Sequence, residues 1–95
     1  MVRLAWTEQS IDDLYNIYDY ISKDSRNYAK IQIKRIRERA KILVSAPKSG
    51  RIVPEIGVNY IRELILGNYR IIYKIVSEEQ ITILTIHHSA KILKM

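Results

Sequence analysis

The apolar pattern of this chain changes period once, and that change decides which folds are open to it. From Thr7 to about residue 45 the apolar residues recur at steps of three and four, the spacing of one helix face. From Asn59 onward they alternate at a step of two, the spacing of a half-buried strand. Within the second region, Gly67-Asn68 separates two alternating runs by two residues, the signature of a tight β-hairpin. The sequence therefore predicts strands Tyr60 to Leu66 and Tyr69 to Val76, a turn at Ser77-Glu78-Glu79, and a third strand Gln80 to His87. In front of them, Val2, Leu4 and Trp6 alternate with Arg3 and Ala5 as one more short strand.

The helical region divides at Ser22-Lys23-Asp24-Ser25. Thr7 offers an N-cap to the first helix, whose apolar stripe is Ile11, Leu14, Tyr18 and Ile21. The second helix, from about Arg26 to Ser45, carries Ala29, Ile33, Ile36, Ala40 and Leu43 on one stripe. Pro47 stops it. So short a turn implies an antiparallel helical hairpin. Its first helix is acidic and its second basic, with Lys30, Lys34, Arg37 and Lys41 projecting on one face. A connector from Arg51 to Val58 holds Pro54 and Gly57, with a very short strand at Arg51-Ile52-Val53. The order is β-α-α-(β)-β-β-β, an α+β chain in which an N-terminal helical hairpin covers one face of an antiparallel sheet.

The hairpin turn also fixes a register. Leu66 faces Tyr69, Ile65 faces Arg70, Leu64 faces Ile71 and Arg62 faces Tyr73. Glu63 and Lys74 then sit diagonally on the other face, within reach of an ion pair. Neither face is cleanly polar, so the face away from the helices should keep apolar surface, which usually marks a partner site.

Composition narrows the function. A chain of 95 residues supports one core and is read as a single domain over residues 1–95. It has no cysteine, which excludes disulfides and thiolate metal sites, and two histidines do not make a metal site unaided; no cofactor or metal is expected. No apolar run approaches the roughly 20 residues of a membrane span, and the first residues lack an apolar signal core, so a cytoplasmic protein without membrane contact is expected. Sixteen Lys and Arg against ten Asp and Glu give +6, which suits a polyanion or an acidic protein partner.

Several segments in sequence order resemble the RelE/ParE superfamily of toxins from type II toxin–antitoxin (plasmid stabilisation) modules. They are Trp6-Thr7; the run Asp13, Leu14, Ile17, Tyr20, Ile21; and the connector Ala46, Pro47, Gly50, Arg51, Val53, Pro54, Glu55. Ile61-Arg62-Glu63-Leu64, the strand Tyr69-Arg70-Ile71-Ile72-Tyr73, and Ile83, Leu84, Ile86 leading into His88 complete the set. The resemblance implies a toxin neutralised by a cognate acidic antitoxin, with a toxin dimer compatible with that complex. It leaves two targets. RelE-like members cleave mRNA on the ribosome, and in that case Arg70 would grip phosphate, His88 would transfer a proton, Glu55 would act as a base and Lys91 would add charge. ParE-like members inhibit DNA gyrase by binding, and there Arg62, Tyr69, Tyr73 and Lys74 are the candidate partner-binding residues. RelE-like enzymes place lysines on the strand before the hairpin, where this chain has Ile61 and Glu63; the triplet Arg62-Glu63-Leu64 is similar to ParE-like members instead. The expected function is thus a ParE-like gyrase inhibitor, with a ribosome-dependent endoribonuclease as the alternative and a non-toxic basic binding module as the third reading. Strand alternation puts only one of His87 and His88 on the face of Arg70, and the sequence leaves open which.

Overall fold

The computed structural model describes residues 2–88. Its elements are β1 (Arg3–Trp6), α1 (Glu8–Ser22), α2 (Arg26–Lys41), β2 (Arg51–Ile52), β3 (Ile61–Leu66), β4 (Tyr69–Ser77) and β5 (Gln80–His88), with a 3-10 turn at Ile42–Val44 closing α2. The strands form one five-stranded sheet in the order β1-β5-β4-β3-β2. The α+β architecture and the element order are as the sequence implies.

Both helix starts are set by hydroxyl caps. Thr7 Oγ1 accepts from the Ser10 amide at 3.0 Å, and Ser25 Oγ accepts from the Tyr28 amide at 3.1 Å. Each satisfies a first-turn amide that no carbonyl can reach, a contribution of about 1 kcal/mol. The β3–β4 register follows the two-residue turn as predicted, with Leu66 opposite Tyr69 and Arg62 opposite Tyr73.

One feature of the sheet differs from expectation. β1 runs parallel to β5, pairing Arg3 with Gln80 and Trp6 with Ile83, so the sheet is mixed rather than antiparallel. The cause lies at the start of α1. The Thr7 amide donates to Ile83 O at 3.1 Å and its hydroxyl to Leu84 O at 2.7 Å. A strand that must deliver Thr7 to that point runs the same way as β5.

The core lies between the helices and one sheet face. Ile36, Ala40 and Leu43 pack against Leu64, Ile71, Tyr73, Ile81, Ile83 and Ile86, all buried. From α1 the contacts come from Leu14 and Ile17, with Ser10 fully buried beside them, while Ile11 stays 42% exposed. The inward side of α1 is thus rotated from the expected stripe, because the small Ser10, whose hydroxyl donates to Thr7 O at 2.7 Å, lets the first turn lie close to the sheet. On the opposite sheet face Glu63, Arg70 and Ile72 are buried, as is Val53 in the connector. Ile65 and Val76 stay exposed there, so the expected apolar surface survives only in part. Among the described residues no helix is long and apolar enough to cross a membrane.

Candidate functional site

Two surfaces gather the residues that carry charge and shape. The first is the sheet face away from the helices. Glu63 stands on β3, Arg51 beside it on β2 and Arg70 on β4. Glu63 Oε2 accepts from Arg51 Nε at 2.5 Å, and Oε1 accepts from Arg70 Nε at 2.5 Å. The outer nitrogens of Arg70 are held by Glu55 from the connector, Nη1 at 2.7 Å and Nη2 at 2.8 Å, a bidentate fork. A carboxylate as buried as that of Glu63 persists only when paired, and here two guanidinium groups pair it. Arg70's hydrogen bonds hold the Glu55 carboxyl down at about 2, and the same bonds push the Arg70 guanidinium further up.

This network accounts for much of what the sequence proposed. Arg70 is not an open clamp, since each of its three nitrogens already donates to a carboxylate. Glu55 is its partner rather than a separate base. Glu63 pairs with Arg70 and Arg51 and not with Lys74, whose ammonium lies 5.8 Å from the centre of the Tyr60 ring. Arg62 braces the connector instead of facing outward, donating to Asn59 O at 2.9 Å and Gly50 O at 2.9 Å. Tyr73 is fully buried and offers nothing to a partner; its hydroxyl donates to Pro47 O at 2.7 Å and accepts from the Gly50 amide at 3.0 Å. The resemblance makes Tyr73 a candidate for partner binding, but here its polar tip is met by two backbone groups. Lys91 lies outside the described residues.

The histidines fall on opposite faces. His87 stands opposite Arg70, and His88 opposite Tyr69. The rings of Tyr69 and His88 meet edge to face with centroids 5.5 Å apart. It is therefore His87, not His88, that shares a face with Arg70.

The second surface is a groove of about 640 Å³ on the helical hairpin. Its apolar lining comes from Trp6, Ile11, Leu14, Tyr18 and Ile33. It continues into a trough walled by Lys30, Lys34, Arg37 and Lys41, the basic face of α2. The sequence places Ile11, Tyr18 and Ile33 on the apolar stripes of the two helices. Their helical spacing was a true signal of an apolar stripe, but nothing in it tells a stripe packed on the sheet from one left beside a groove.

Comparison with known proteins matches this architecture. Residues 4–93 match the family described as ParE toxin of type II toxin-antitoxin system, parDE. Among solved structures, one titled "Chromosomal ParDE TA system from P. aeruginosa" is 27% identical, superposes with a TM-score of 0.76, and is covered over 96% of its chain by 93% of this one. Among curated proteins no relative matches. With the match running through β1, both helices and every strand of the sheet, the chain belongs to the ParE toxin family of type II toxin–antitoxin systems.

Proposed function

We infer that this toxin acts in the cytoplasm by binding DNA gyrase and not by cutting RNA. The observation that carries this reading is the closure of Arg70. Its donor edge, which a phosphate-gripping site needs open, is filled by Glu63 and Glu55. Any RNA phosphate approaching that edge would meet a carboxylate already in place, and like charges repel. The lack of lysines at Ile61 and Glu63 supports the same reading, since phosphate binding rests on cations.

The neutralising partner in this reading is an acidic antitoxin segment that folds on contact. The groove supports it: an apolar floor of Trp6, Ile11, Leu14, Tyr18 and Ile33 fits an apolar row, and the Lys30, Lys34, Arg37 and Lys41 wall fits an acidic one. The deciding experiment adds purified toxin to gyrase and, separately, to translating ribosomes. The expected result is loss of supercoiling, relieved by the antitoxin, with mRNA left intact. Codon-specific cleavage on the ribosome with supercoiling unaffected would reverse the assignment.

A further inference from the structure

Near its C-terminal end β5 contains one residue more than β4 can pair. Ile72 stands opposite Thr85 and Tyr73 opposite Ile83, so Leu84 is extra, a β-bulge. β1 covers β5 only as far as Ile83, so beyond that point the outer edge of β5 has no strand partner, and α1 takes the groups along the bulge and just past it. Asp13 Oδ2 accepts from the Ile86 amide at 2.9 Å and from the Thr85 hydroxyl at 2.5 Å. Its other oxygen, Oδ1, accepts from Gln9 Nε2 at 2.8 Å, which fixes the carboxylate's orientation. Thr7 holds the remaining bulge residue through Leu84 O.

The bulge reverses strand parity, because a shift of one residue turns every later side chain to the other face. Carried past Ile83 without it, the pairing would put Ile86 opposite Arg70 and His87 opposite Tyr69. Instead Ile86 enters the core, 5% exposed, His87 stands opposite Arg70 and His88 opposite Tyr69. We propose that Asp13 is a positioning residue which, by satisfying the Leu84–Thr85 bulge, determines that His87 rather than His88 shares the face of Arg70. Leu14, the next residue, lines the groove, so one turn of α1 joins the groove to the histidine end of the sheet.

The test compares D13A, D13N and a deletion of Leu84 by NMR on the full chain. In the parent, cross-strand contacts link Arg70 with His87 and the Tyr69 ring with the His88 ring. D13A should lose both, and Ile86 amide exchange should rise about tenfold or more, because a spare amide is left without an acceptor. D13N should restore both, its carbonyl turned to the bulge. Deleting Leu84 removes the spare residue, so the pairing Tyr73–Ile83 runs on to Arg70–His87 without a bulge to hold. That variant should keep the Arg70–His87 contact, and should keep it equally when combined with D13A. Unchanged Arg70–His87 and Tyr69–His88 contacts in D13A would overturn the proposal, whatever the Ile86 amide does. So would a D13N that behaves like D13A, or a Leu84 deletion in which Asp13→Ala still separates Arg70 from His87.

Discussion

Glu63 and Arg70, seven residues apart on neighbouring strands, bury a carboxylate against a guanidinium at 2.5 Å under the connector. The pair is the inner link of a chain that runs Arg51, Glu63, Arg70, Glu55. Its exposed ends can be screened by water and salt, while its inner link cannot.

Removing one partner of that inner link should therefore be costly. Glu63→Ala leaves Arg70 with only the connector carboxylate and removes the direct ion pair of Arg51. We expect a loss of about 3–5 kcal/mol, the usual cost of uncovering a buried charge. Arg70→Lys should not preserve the network, because an ammonium presents its three N–H groups from one nitrogen and cannot match the Glu55 fork and Glu63 together. Denaturant unfolding of the two variants, with the double variant closing the cycle, measures the coupling.

Acid should loosen the outer link between Arg70 and Glu55. Glu55 titrates at about 2 in the fold against an ordinary 4.5. A carboxyl with a depressed folded value adds stability that is fully present above the unfolded value and is lost as pH falls toward the folded one. Melting temperature should accordingly drop between about pH 4.5 and pH 2. Glu55→Gln should flatten that part of the profile while lowering the plateau at neutral pH. An identical profile in the variant would assign the acid sensitivity to other groups.

The short connector has its own fixed point. A Cβ added at Gly50 would lie 2.5 Å from Glu63 O and 2.7 Å from the Tyr73 hydroxyl. The first contact is backbone and has nowhere to move. Gly50→Ala should cost about 1–3 kcal/mol from overpacking. Tyr73→Phe should cost a similar amount by stranding the Gly50 amide and Pro47 O. Thermal melts of the two variants and of their combination would show sub-additive losses, since both disturb one contact.

Much of this architecture could be read from spacing alone. The Gly67-Asn68 turn gave the β3–β4 register residue by residue, because a two-residue loop leaves one way to pair the strands. Thr7 announced the first helix start and the break at Ser22-Lys23-Asp24-Ser25 the second, because capping depends on local groups only. What stayed hidden depends on contacts between distant segments. Asp13 lies off the apolar stripe, and helical spacing names no partner for it, yet it bonds a strand more than 70 residues away. The bulge it holds has no sequence mark, so parity along β5 could not assign the histidines. Arg70 and Glu55 were both picked out, but as independent site residues; their pairing depends on where the connector lies.

The wall of the groove offers a test of partner binding that leaves the fold alone. Lys34 is 76% exposed and pairs only loosely with Glu38, at 4.0 Å. Arg37 lines both the apolar groove and the basic trough. Reversing either charge should change stability by no more than about 0.5 kcal/mol, as surface substitutions usually do. If an acidic antitoxin segment lies along this wall, Arg37→Glu should weaken its binding several-fold, mainly by slowing association, and added salt should shrink the difference between parent and variant. Ile33→Ala should act differently, raising the dissociation rate at every salt concentration, because it removes apolar contact from the floor without changing charge. Association and dissociation rates measured at low and high salt separate the two effects. An antitoxin whose kinetics ignore both substitutions would bind elsewhere on the molecule.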